Sequence, residues 1–144
     1  TGAANTFSDY EEGTFTPILQ NSGGVQVNAY SIQVGYYTKV GRLVHASGTI
    51  SANGLGSTGS GNGIFLGGFP FDAVASSNNN SSLQIGHAVN LNISAGHSLG
   101  GFLPANSTNA QVFIYDNAAG STQLTFGELS ADGQLTYSIQ YQTA

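Results

Sequence analysis

Apolar and polar residues alternate most regularly at the end of the chain, where Leu135, Tyr137, Ile139 and Tyr141 are separated by Thr136, Ser138, Gln140 and Gln142. A period of two sends one set to a buried face and the other to solvent, which predicts a β-strand. Asp132-Gly133, just before it, is a turn dipeptide of the kind that closes hairpins. Shorter runs of β-branched and aromatic residues predict further strands over 14–19, 30–40, 43–51, 64–66, 83–89, 91–95, 99–103, 112–115 and 123–126. The segments between them, such as NSGG, SANGLGSTGSGNG and SSNNNSS, read as turns and loops by composition. One helical sign stands out: Ser8 followed by Glu11 resembles a capping box and predicts a turn near 8–12. Short strands at short spacing with glycine-rich turns predict an all-β fold, an antiparallel β-sandwich with jelly-roll-like connections.

Composition agrees with this pattern and narrows the partners. The 144 residues match one domain with a real core. Glycine numbers 21, but 7 Tyr and 8 Phe at regular intervals argue for order rather than disorder. Charged residues make up only 6%, against about 25% in an ordinary soluble domain. Lys39 and Arg42 are the only basic residues and the net charge is −5, so neither nucleic acid nor an anionic membrane surface is an expected partner. No apolar run approaches the roughly 20 residues of a membrane helix, and no membrane insertion is expected. The chain opens on Thr1 without a basic, apolar leader, and reads as a piece of a longer protein. Cysteine is absent, which removes disulfides and thiolate metal sites.

Scarce charge also bears on assembly. Monomeric β proteins protect their sheet edges with Lys, inward charges or Pro, and this chain has one Lys and three Pro. Its edges and neutral surface are therefore expected to be covered by identical neighbours in a closed homo-oligomer.

Several motifs invite a chemical reading that their surroundings oppose. Gly96-His97-Ser98-Leu99-Gly100 matches the nucleophile elbow of α/β-hydrolases, but no helix is predicted after it and all three histidines precede Ser98. Gly54-Leu55-Gly56-Ser57-Thr58-Gly59 matches a dinucleotide fingerprint, yet it leads into more loop. His45, His87 and His97 lack metal-ligand spacing, and no cofactor or metal is expected. Asp72, Asp116, Glu128 and Asp132, with Glu12, are the carboxylates from which a glycosidase pair would have to come. The sequons at Asn79, Asn80, Asn92 and Asn106 would matter only in a secretory pathway.

Three segments together carry a resemblance: Asp9-Tyr10-Glu11-Glu12-Gly13-Thr14-Phe15-Thr16-Pro17, Gly35-Tyr36-Tyr37-Thr38-Lys39-Val40-Gly41-Arg42-Leu43-Val44 and Gly68-Phe69-Pro70-Phe71. In order and spacing they resemble the C-terminal tip module of bacteriophage tail fibres and tailspikes, with Phe15 where that module often has Trp and Phe69 where it often has Leu. The resemblance implies an all-β domain at the distal end of a homotrimeric fibre, in the virion and extracellular, working in host attachment. Residues 1–12 would then be a linker from the fibre shaft or a preceding domain, and 13–144 a single tip domain. Asp9, Glu11 and Glu12 would pair with Lys39 and Arg42, within a subunit or across an interface.

The expected function is binding of a bacterial surface polysaccharide or lipopolysaccharide, without catalysis. Amide, hydroxyl and aromatic side chains suit sugars, and the carbohydrate-binding candidates are Asn78, Asn79, Asn80, Tyr115, Asp116, Asn117, Tyr36 and Tyr37. The alternatives are a trimerising, fibre-capping module without receptor contact and a glycan depolymerase or esterase. Depolymerases of this kind usually need a long β-helix that 144 residues cannot contain.

Overall fold

The computed structural model describes residues 9–75, 79–116 and 120–144. Along the chain run β1 (Tyr10–Phe15), β2 (Ile18–Gln20), β3 (Tyr30–Val40), β4 (Leu43–Ala52), β5 (Phe65–Gly67), β6 (Ser81–Val89), β7 (Ser98–Leu103), β8 (Ala110–Asp116), β9 (Gly120–Gln123), α1 (Phe126–Leu129) and β10 (Gln134–Gln142). All ten strands belong to one antiparallel sheet in the order β1-β3-β4-β10-β6-β7-β8-β5-β2, with β9 added on β8. The fold is thus all-β, but its ladder is a single path rather than two facing sheets.

The period-two pattern explains which face is which. On β10, Leu135, Tyr137, Ile139 and Tyr141 are buried, and the register sets them opposite Ile50, Gly48, Ala46 and Val44 of β4. Leu83, Leu103, Val112, Ile114, Leu66 and Leu19 continue this inner face from β6 to β2. Each such aliphatic side chain contributes about 1.5–3 kcal/mol on burial. Loop and helix residues Leu124, Phe126 and Leu129 complete the core.

A single sheet can enclose that core because it curls. Strands β1 and β2 lie at opposite ends of the path, yet only Thr16 and Pro17 separate them in sequence. Pro17 lacks an N–H to give to a ladder, so it suits the point where the chain leaves one edge for the other. Residues of β3 secure this seam: Gln33 Nε2 donates to the Pro17 carbonyl at 2.8 Å, and the Tyr30 hydroxyl accepts from Leu19 N at 2.9 Å. Gly68 closes against it with a left-handed φ of +81 degrees, a conformation that residues with a Cβ rarely adopt. A Cβ on Gly68 would stand 2.2 Å from the Thr16 carbonyl oxygen.

Four local expectations change. The strand predicted over 14–19 is two strands with different partners, since Pro17 marks a crossing between edges. The segment 91–95 is not a strand: a register shift at Thr136/Tyr137 skips Gly86, and pairing of β6 with β7 ends at Gln84 and Gly100. The segment 123–126 holds the end of β9 and the start of α1, whose capping box is Thr125 and Glu128. Instead of the turn foreseen near 8–12, Tyr10, Glu11 and Glu12 pair in β1 with Val40, Lys39 and Thr38, so the sheet begins inside the stretch assigned to a linker.

Candidate functional site

The three segments of the resemblance converge on one aromatic cluster. Phe69 lies 5.9 Å from Phe15, 6.4 Å from Tyr137 and 6.0 Å from Tyr141 between ring centroids. Tyr37 meets Phe71 edge-on at 5.4 Å, and Lys39 Nζ sits 5.8 Å from the centre of the Phe71 ring. These residues fix the loop after β5 against the inner face and are packing elements.

The acids at the start of β1 find different partners. Lys39 Nζ lies 2.7 Å from Asp9 Oδ1, whereas Glu11 accepts from the Tyr37 hydroxyl at 2.6 Å and Glu12 from the Tyr10 hydroxyl at 2.5 Å. Each of these hydrogen bonds to a carboxylate raises the phenol's pKa, for Tyr37 through Glu11 and for Tyr10 through Glu12. Arg42 Nε donates to the Thr143 carbonyl at 3.0 Å, tying the β3–β4 turn to the end of the chain.

The carbohydrate-binding candidates do not form one cluster. Asn79 and Asn80 are exposed before β6, and Asn80 Oδ1 accepts from Ala105 N at 3.2 Å; Asn78 and Asn117 lie outside the described residues. Tyr115 and Asp116 end β8, with Tyr115 paired to Ser98 at the start of β7. Ser82 pairs with Phe102 and Phe102 with Gln111, about 14 Å along β8 from Tyr115, so the Asn79–Asn80 rim, beyond Ser82, and Tyr115 stand at opposite ends of their strands. Among the described residues Tyr36 is the most exposed aromatic, at 61%, and points outward from β3, while its neighbour Tyr37 turns inward to Phe71.

Sequence reasoning missed the outer face between these places. His45 of β4, Ser138 and Gln140 of β10, and Ser82 and Gln84 of β6 line a groove of about 360 Å³, with Ile139 at its base. The register brings them together: Gln140 faces His45, and Ser138 lies between Ser47 and Gln84. None of the five polar side chains is hydrogen-bonded within the described residues, whereas Thr49 and Thr136, farther along the same face, bond each other at 3.0 Å. Next to the groove, Phe102 and Phe113 stack at 5.7 Å with their planes 16° apart. The signal was the alternation of β10 itself, whose polar positions mark the outer face.

The tempting motifs lie in settings other than those their chemistry requires. Ser98 opens β7 with no helix behind it. In the 54–59 loop, the Thr58 carbonyl accepts from Asn21 Nδ2 at 3.0 Å and from Asn62 Nδ2 at 2.6 Å. Histidines 87 and 97 line a separate, more apolar cleft where β6 and β7 part.

No family model and no curated protein matches the chain. Among solved structures, the crystal structure of the Dettilon tailspike protein superimposes with a TM-score of 0.72 at 16% sequence identity, over 92% of this chain and 24% of that one. The chain therefore spans about a quarter of the tailspike's length and shares the fold of that portion.

Proposed function

We propose that the chain is a tip module of a phage tailspike or tail fibre, assembles as a homotrimer and attaches to polysaccharide or lipopolysaccharide on the host surface. The observation that carries this reading is the fold held in common with a phage tailspike over 92% of the chain. The surface supports it. With 2 basic and 7 acidic residues, the exterior consists largely of amides, hydroxyls and exposed aromatics, chemistry that suits sugars rather than nucleic acid. Tyr36 and Tyr115 present exposed rings on the outer face, and Asn79 and Asn80 present amides at its rim.

Trimerisation is favoured by the exposed apolar residues of one edge. Ile32, Val34, Tyr36 and Val40 follow one another on the outer face of β3, and the register sets Val40 between Tyr10 and Leu43, both about half exposed. Two experiments test the reading. Light scattering of the purified chain should give three times 14.7 kDa, and a mass of one chain would contradict the assembly. The chain added to host cells should block adsorption of the phage that carries it; undiminished adsorption would favour a fibre-capping role instead.

A further inference from the structure

We infer that the outer-face groove across β4, β10 and β6 is a subsite for an uncharged saccharide, an assignment that rests on the glycan-attachment reading above and narrows its ligand. Five hydrogen-bonding side chains, His45, Ser82, Gln84, Ser138 and Gln140, converge there from three adjacent strands. Between them they offer hydroxyl, amide and imidazole groups, which both donate and accept, as the hydroxyls of a sugar do. Among the described residues these side chains have no hydrogen-bond partner, so their donors and acceptors are available to a ligand. The volume, about 360 Å³, falls within the range of small-ligand pockets.

An apolar platform stands beside these polar groups. Ser82 pairs with Phe102, and Gln84 with Gly100, which in turn pairs with Phe113. The Tyr115 ring lies over Gly100, where a Cβ would stand 2.7 Å from it, beside the half-buried, stacked Phe102–Phe113 pair. A sugar ring has an apolar face as well as its hydroxyls, and the juxtaposition of amides with aromatic rings matches both. The distance from β4 to β6 is two strand spacings, about 10 Å, enough for a saccharide lying across the strands.

Charge selects the kind of sugar. Among the described residues no Lys, Arg, Asp or Glu lines the groove. Lys39 is held by Asp9 and Arg42 by the Thr143 carbonyl, so the chain's two cations are engaged elsewhere. Along the row that contains His45 and Gln140, the pairing continues through Thr38 to Glu12, an exposed carboxylate about 10 Å from His45. An acidic saccharide would meet that carboxylate and a net charge of −5 with no lysine or arginine in the groove to offset them. A neutral one meets neither cost.

The test uses the purified chain on an array of neutral and acidic bacterial oligosaccharides, with the double variant Gln84→Ala/Gln140→Ala and the rim variant Asn79→Ala/Asn80→Ala beside it. Both variants alter exposed side chains and should keep the unfolding midpoint of the parent. Neutral saccharides should be retained, with affinity reduced about tenfold in the groove variant and unchanged in the rim variant. Preference for acidic saccharides, or loss of neutral binding in the rim variant alone, would overturn the groove assignment and leave host attachment standing. Retention of no saccharide at all would overturn the assignment together with the reading on which it rests.

Discussion

The two faces of β10 differ more than any two regions of sequence suggest. Leu135, Tyr137, Ile139 and Tyr141 are at most 3% exposed and contact the aromatic cluster and the aliphatic core. Ser138 and Gln140, one residue away on the other side, touch a groove and have no partner among the described residues. One strand thus divides by parity: the odd positions hold the fold, and of the even ones Thr136 bonds Thr49 while Ser138 and Gln140 face the groove. The inner face should respond to substitution through stability, and the outer face through binding alone.

The largest effect expected is on the inner face. Tyr141→Ala removes a fully buried ring and the acceptor for Phe71 N at 3.3 Å, and should cost about 3–5 kcal/mol in chemical denaturation. Gly68→Ala strikes the seam where the two ends of the sheet meet. A left-handed φ of +81 degrees and the nearby Thr16 carbonyl both oppose a side chain, so a loss of about 1–3 kcal/mol is expected. An unchanged midpoint would mean that the curl does not depend on this contact.

Alkaline pH probes the same face with a defined sign. Burial pushes the Tyr141 phenol up to about 12 and raises that of Tyr137 as well, while an unfolded tyrosine ionises near pH 10. A raised folded pKa means the stability is fully present below pH 10 and is lost as pH rises from 10 towards 12. The Tyr137 hydroxyl is buried without a hydrogen-bond partner among the described residues, so Tyr137→Phe should leave stability at neutral pH unchanged or slightly higher and should lessen the alkaline loss. Marked destabilisation at pH 7 would show that the hydroxyl has a role the packing does not reveal. The smallest effect belongs to the outer face: Gln84→Ala/Gln140→Ala should change stability by no more than about 0.5 kcal/mol.

Much of the inner face was legible because alternation survives wherever one side of a strand is buried. The bounds of β3 coincide with the run of 30–40, and β10 with the pattern that ends the chain. Local rules failed where tertiary pairing decided. Pro17 lies inside the run of 14–19, which read as one strand, whereas it separates two strands at opposite edges of the sheet. Leu91 and Ile93 alternate like strand residues, but the skipped Gly86 parts β6 from β7 and leaves them lining a cleft. Thr125 and Glu128 form a capping box hidden in an apolar run that read as a strand. The groove was illegible for a different reason. Its residues come from positions 45, 82, 84, 138 and 140, and only the register of β10 between β4 and β6 makes them neighbours.

The most direct measurement is a residue-resolved NMR titration of the purified chain with a neutral saccharide retained on the array. The account predicts shifts concentrated on the outer positions of β4, β10 and β6, around His45, Gln84, Ser138 and Gln140, with the inner-face signals unmoved. Shifts confined to the Asn79–Asn80 rim or to the end of β8 at Tyr115 would contradict it.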